Sequence, residues 1–203
     1  MLRIGIDFDN TIVRYDEVFR RVAIEQGLIA PDFPANKGAI RDHLRALGME
    51  DRWTAMQGYV YGERMIDAPP FPGVLGFLVW LRKLQVPVFI ISHKTWYPYL
   101  GPKYDLHESA QAWLEKQGFF DPARIGIAPE HVFFELTKQA KLDRIAALQC
   151  SHFIDDLPEL LCEPQFPAGV TRLLFDPGNH HADSPVFSRF HSWSHALHEL
   201  LAA

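Results

Sequence analysis

Only two cysteines, Cys150 and Cys162, occur in 203 residues. Two are too few for a disulfide framework, so the expected compartment is a reducing cytosol. Positive charge is also scarce, with 20 Lys and Arg against 25 Asp and Glu and a net charge of −5. That balance offers no broad cationic surface for a nucleic acid polymer or an anionic membrane, and leaves room only for a local basic pocket. No apolar run approaches the roughly 18 to 20 residues that cross a bilayer. The opening MLRIGID lacks the basic and apolar regions of a signal peptide, which keeps the reading cytoplasmic. Internal repeats and low-complexity tracts are missing. The one compositional bias is the ending, with His180, His181, His191, His195 and His198.

What is present is ordinary for a globular chain: 48% hydrophobic and 22% charged residues, in a length that suits one domain with an inserted subdomain. Five short apolar runs read as strands: Leu2 to Asp7, Val86 to Ser92, Val132 to Glu135, His152 to Asp155 and Val170 to Phe175. Between them lie helical patterns. Asp105 and Glu108 form a capping box before LHESAQAWLEKQ, and Thr137 can cap the helix that carries Lys141, Ile145 and Leu148. Pro72-Gly73 opens VLGFLVWLRKL, where Leu75, Leu78, Leu81 and Leu84 recur at helical spacing. Apolar strands alternating with helices imply an α/β fold, a doubly wound, Rossmann-like parallel sheet covered on both faces.

One stretch is too long for a single crossover helix. It has room for three: Asp16 to Gln26, Lys37 to Leu47 and Asp51 to Arg64. Residues 15–68 therefore read as a small helical insertion above the carboxyl ends of the strands, where open α/β sheets bind ligands, and residues 1–14 with 69–203 read as the core domain.

The candidate chemistry sits at strand ends. Asp7 and Asp9 share one side of an extended chain, because side chains alternate with period two. Two carboxylates so close repel unless a cation or a shared proton compensates, so the pair predicts a metal or a raised pKa. The second strand ends in a hydroxyl, Ser92. The fourth ends in another acid pair, Asp155 and Asp156, and Lys141 stands in the first turn of the helix before it, with Lys138 as its competitor. Taken singly, a Ser after a strand is a turn former and a helix Lys is solvated. Together these groups would converge on one point of the sheet.

In this order the sequence resembles the haloacid dehalogenase-like (HAD-like) superfamily of phosphohydrolases. Its first motif, an apolar strand followed by DxDx[TV], is matched by Asp7-Phe8-Asp9-Asn10-Thr11, and its second, a strand ending in Ser or Thr, by Ser92. The third, a helix lysine, is matched by Lys141 and the fourth by Asp155-Asp156. The resemblance implies Asp7 as nucleophile and Asp9 as general acid and base. It implies Mg2+ held by Asp7, the backbone carbonyl of Asp9 and an acid of the fourth motif. Between Asp155 and Asp156 the ligand stays open, leaning to Asp156 with Asp155 as a supporting partner. Ser92 and Lys141 would bind the phosphoryl group, with Thr11 beside them. The second Asp of DxD selects phosphate ester hydrolysis within the superfamily, and the expected partner is a small phosphorylated metabolite. A homodimer is the one assembly kept open.

The resemblance also implies that the insertion is a cap that reads the substrate. WTAMQGYVYGERM puts Trp53, Gln57, Tyr61 and Arg64 near one helical face, so Trp53, Gln57 and Arg64 are candidate substrate contacts, unless Trp53 and Tyr61 pack the cap onto the core or Gly58 and Gly62 break or closely pack the helix. In the loop after Ser92, His93, Lys94 and Trp96 lie near the phosphoryl position, and His93 and Lys94 join the substrate-binding candidates. His191 and His195 have i, i+4 spacing but no third ligand, and are read as solvated. KLDRIAALQCSHFIDDLPE looks like the last part of the 5'(3')-deoxyribonucleotidase branch, which makes a nucleotide monophosphatase the narrower alternative. Two non-enzymatic readings compete. A response-regulator receiver domain would need a phosphorylatable Asp after the third strand, where this chain has Leu136 and Thr137. A catalytically silent HAD-like binding protein would not need all four motifs intact.

Overall fold

A computed structural model describes residues 2–202, with the side chains at positions 197–199, 201 and 202 outside that description; His198 of the histidine-rich ending falls there. In chain order the elements are β1 (Ile4–Ile6), α1 (Asp16–Glu25), α2 (Lys37–Ala46), α3 (Glu50–Tyr61), α4 (Val74–Lys83), β2 (Val88–His93), α5 (Leu106–Lys116), β3 (Val132–Glu135), α6 (Lys138–Ala147), β4 (His152–Asp155), α7 (Pro158–Leu161), β5 (Thr171–Phe175), β6 (Ser188–Phe190) and α8 (Trp193–Ala202). They form two compact units, one of Met1–Val13, Pro70–Lys94 and Gly118–Ala203, the other of Arg14–Pro69 and Thr95–Gln117.

The first unit holds a six-stranded sheet of order β3-β2-β1-β4-β5-β6, and every pairing in it is parallel. The chain runs outward from β1 to β3, then returns to lay β4 on the other side of β1, which makes the β1–β4 boundary the topological switch point. Continuous apolar strands such as Val88–Ile91 are buried throughout because both faces are covered. On one face Phe89, Ile91, Phe153 and Leu174 join Leu142 and Ile145 of α6 and Leu160 and Leu161 of α7 in a single core. The other face begins one residue along: Phe175 meets Trp193 of α8 at 5.4 Å, and Trp193 meets Phe77 of α4 at 5.0 Å. The sheet is doubly wound, as the alternation of strands and helices implies.

Several sequence expectations shift in detail. β6 is a sixth strand that hydropathy did not announce. The buried stripe of α4 includes Leu78 and Leu81 of the expected leucines and adds Val74 and Phe77, while Leu75 is half-buried and Leu84 is exposed. Gly73 supplies the left-handed turn that opens this helix, at φ 89°. Thr137 caps α6 by accepting from the Ala140 N–H at 3.0 Å.

The second unit is helical. Its centre is aromatic: Trp53 of α3 stacks on Phe19 of α1 at 5.1 Å, and Tyr61 meets Tyr15 edge-on at 4.9 Å. Asn36 caps α2 by accepting from the Ala39 N–H, and Asp105 caps α5 by accepting from the N–H groups of His107 and Glu108. This unit takes in the stretch read as an insertion and also residues 95–117, which the sequence reading left with the core. The reason lies at two glycines of α3. A Cβ at Gly58 would sit 2.5 Å from Pro98 Cβ, and one at Gly62 would sit 2.4 Å from Tyr104 Cβ, so the following loop lies directly on the helix. Gly58 lies inside α3 without breaking it, whereas Gly62 ends it, so Arg64 lies beyond the helix. The Trp113 indole N–H, donating to the Ala68 carbonyl at 2.7 Å, ties α5 to the end of the first segment.

Candidate active site at the carboxyl edge of the sheet

Register places the site. Ile6 is level with Ile90 and Ile154, so Asp7 and Asp155 emerge together on either side of the switch point, and Ser92 extends one residue beyond them. The Asp7 N–H still donates to the Ile154 carbonyl at 2.9 Å, which holds the aspartate in line with the ladder. After it the chain turns: Phe8 faces away into the core and meets Phe134 at 5.6 Å, and Asn10 takes the left-handed conformation at φ 58°. The Phe8 carbonyl accepts from the N–H groups of both Ile12 and Val13.

Asp7 is almost fully buried and surrounded by donors. Its Oδ1 accepts from Ser92 Oγ at 2.9 Å and from Lys141 Nζ at 2.6 Å. Lys141, itself 2% exposed, also donates to Asp155 Oδ2 at 2.6 Å. Burial alone would push the Lys141 ammonium down, but the Asp155 and Asp7 charges outweigh it and hold the group above the ordinary lysine range. For Asp155, burial is the largest influence; it pushes the carboxyl up to about 6 against the pull of Lys141, and the Asp7 charge adds to the rise. Lys138, the competitor for the lysine role, points instead to Glu163 at the surface.

Carboxylate oxygens of Asp7, Asp155 and Asp156 lie within 4.8 Å of one another. Both oxygens of Asp155 are engaged, Oδ2 by Lys141 and Oδ1 by the Leu157 N–H at 2.9 Å. Thr11 Oγ1 lies 3.4 Å from Asp7 Oδ2 and 3.3 Å from Asp156 Oδ1. One hydroxyl proton can serve only one of those two carboxylates. An all-oxygen, negatively charged cluster of this kind fits a hard divalent cation.

Asp9 has its own lysine. Lys94 Nζ lies 2.8 Å from Asp9 Oδ2, and Lys94 is buried while the Asp9 side chain is 20% exposed. The sequence reading placed Lys94 on the substrate and did not foresee this pair. The signal was available, since Ser92 and Lys94 are two apart at a strand end and return to the same side. His93, by contrast, is exposed and its ring meets the Leu136 carbonyl at 3.1 Å.

The candidates in the helical unit are placed differently. Trp53 is 2% exposed in the aromatic centre, with no open face for a ligand, because the face shared with Gln57 and Tyr61 includes the side of α3 that packs on α1. Arg64 is held by Glu25 at 2.6 Å and Asp67 at 2.7 Å, and the hydrogen bonds it donates to Glu25 and then Asp67 keep it well above the usual arginine range. Gln57 is half-buried. In the sheet unit His191 Nδ1 meets the Asp176 carbonyl at 2.7 Å and His195 Nδ1 meets Ser192 Oγ at 3.3 Å. Glu135, the acid at the end of β3, is paired with Arg144 at 2.7 Å.

No family model matches the sequence. The chain is 24% identical over 208 residues to "Putative nucleotidase OB0422" of Oceanobacillus iheyensis, covering 99% of this chain and 100% of that protein. Among solved structures it is similar to a haloacid dehalogenase-like family hydrolase from Xanthomonas campestris, with 11% identity, TM-score 0.59, and coverage of 100% of this chain and 95% of the other. The fold is haloacid dehalogenase-like. A further structure with that fold, described as "the putative HAD-hydrolase YfnB from Bacillus subtilis bound to magnesium", matches with 13% identity and TM-score 0.52 over 98% of both chains. Within this HAD-like fold the four motif positions of the sequence, Asp7 with Asp9, Ser92, Lys141 and Asp155 with Asp156, lie at one edge of one sheet. Among the described residues no helix is long and apolar enough to cross a membrane.

Proposed function

We propose that the protein is a phosphohydrolase that removes phosphate from a small phosphorylated metabolite through an aspartyl phosphate on Asp7. The observation that carries this reading is the surround of Asp7: a buried carboxylate at the switch point, with a hydroxyl and an ammonium on the same oxygen and a second aspartate two residues on. Ser92 and Lys141 fix Oδ1, which leaves Oδ2 to attack phosphorus as the ester oxygen departs with a proton from Asp9. Asp9 then takes a proton from water, whose oxygen attacks the phosphoryl group and releases inorganic phosphate and free Asp7. Lys141 also offsets the charge that gathers between an anionic nucleophile and an anionic ester.

The carboxylates fit Mg2+, with Asp7, Asp156 and the Asp9 carbonyl as the residues that would hold it. Asp155, engaged on both oxygens, acts as the supporting partner. When bound, Mg2+ supplies charge neutralisation between nucleophile and phosphate. Oxygen-only donors and the shared Thr11 hydroxyl support that assignment.

A nucleoside monophosphate is the narrower substrate reading, favoured by the name of the Oceanobacillus iheyensis relative and by its coverage of both whole chains. The test is phosphate release from a panel of nucleoside monophosphates and sugar phosphates, with Mg2+ and with chelator, by wild-type protein and Asp7→Asn. We expect metal-dependent turnover that Asp7→Asn lowers by roughly 10⁴-fold or more. Turnover indifferent to both metal and substitution would overturn the mechanism. Tight binding of one phosphate ester without any turnover would favour a silent binding protein instead.

A further inference from the structure

Lys94 is more deeply buried than the acid it pairs with. It is 4% exposed, its N–H donates to the Glu135 carbonyl at 2.8 Å, and its ammonium lies 5.6 Å from the Phe8 ring centre. The backbone is thus tied to the end of β3 and the head is set against an aromatic face. Asp9, in contrast, stands beyond the end of β1, where its backbone forms a single bridge to Val13. Its Oδ2 is held at 2.8 Å by the ammonium. Of the two groups, it is the carboxylate that opens outward.

We propose that Lys94 is a positioning residue for Asp9: it anchors one carboxylate oxygen so that the other exchanges a proton with the ester oxygen, and it acts through Asp9 rather than by contact with the substrate phosphate. This rests on the phosphohydrolase reading above and deepens it. A buried ammonium is a compact point charge with three donors, suited to fixing one oxygen without blocking the second. Its removal takes away the ammonium that holds Asp9 Oδ2, and proton transfer is sensitive to misplacement of the carboxylate.

A kinetic double-mutant cycle decides the matter. Lys94→Met, Lys94→Arg, Asp9→Asn and the Asp9→Asn/Lys94→Met pair are assayed on an alkyl phosphate, whose leaving oxygen needs a proton, and on p-nitrophenyl phosphate, whose leaving group does not. We expect Lys94→Met to lower kcat on the alkyl ester by roughly 10- to 100-fold with KM within about twofold, and to act more weakly on the nitrophenyl ester. In the Asp9→Asn background the same substitution should cost nothing further, and Lys94→Arg should recover part of the loss. A loss of equal size in both backgrounds, or a rise in KM on both esters with kcat unchanged, overturns the proposal and returns Lys94 to the substrate. Lys94→Gln carries the same cycle if Met at this buried position prevents folding. Absence of turnover by the wild type on either ester overturns the phosphohydrolase reading itself, and this role with it.

Discussion

The sheet unit and the helical unit differ in what they hide from water. Among the described residues, the buried polar and charged side chains are Asp7, Thr11, Ser92, Lys94, Lys141, His152, Asp155 and Asp176, and every one belongs to the sheet unit. The helical unit closes instead around Tyr15, Phe19, Trp53 and Val60, with its ion pairs, such as Arg45 with Glu50, at the surface. Burying a charge costs free energy unless it is paired. A fold that accepts the cost at one strand edge for Asp7, Lys94, Lys141 and Asp155 marks that edge as the place where charge is used. The helical unit follows the opposite rule and gains stability from apolar and aromatic area.

The sharpest way to break this contrast is Lys141→Met. It leaves Asp7 and Asp155 as buried carboxylates without their shared cation, and should cost about 3–5 kcal/mol in urea unfolding at pH 8, together with at least a ~10³-fold loss of turnover. The stability cost should shrink towards pH 5, because Asp155, already raised to about 6, then takes a proton. A variant as stable as wild type at pH 8 would mean the buried charges are not held by Lys141.

Trp53→Ala tests the other side of the comparison. Removing the ring stacked on Phe19 should cost about 3–5 kcal/mol by urea unfolding, and a cost under about 1 kcal/mol would show that the aromatic centre is not what holds the helical unit together. The smallest effect belongs to His152, buried at the start of β4 with Nδ1 on Ser151 Oγ at 2.9 Å and no hydrogen-bond partner for Nε2. Burial lowers its pKa. The folded state therefore binds less proton than the unfolded chain, and its contribution to stability is full above the ordinary histidine value of about 6.5 and is lost as pH falls through the lowered one. The slope is at most about 1.4 kcal/mol per pH unit. His152→Phe should flatten the unfolding curve between pH 7 and 5 relative to wild type; an unchanged slope would remove His152 from the set of buried polar groups that matter.

How far the sequence could be read follows from the same contrast. Strand ends, a hydroxyl and a capped helix are local features, so Asp7, Ser92, Lys141 and Asp155 could be located by pattern alone. β6 could not, since three residues, Ser188–Phe190, carry no periodicity, and the loop before it is organised by Asp176 accepting from the N–H groups of His180 and His181. The membership of residues 95–117 in the helical unit depends on how closely Pro98 and Tyr104 approach two glycines, a tertiary fact. Trp53 shows the limit of helical spacing. Periodicity found the face it shares with Gln57 and Tyr61, but which neighbour covers a face is settled only by packing.

One bond made across the chain has a consequence for synthesis. The indole N–H of Trp193 donates to the carbonyl of Thr11 at 3.2 Å, while Trp193 itself rests against Phe77, Phe175 and Phe190. The turn that carries both aspartates therefore completes its set of partners only with α8, 182 residues further along. Until α6 and β4 have been translated, Asp7 lacks its lysine and β1 has only one of its two sheet neighbours. Up to that point the nascent chain must carry Asp7 without the groups that surround it in the fold.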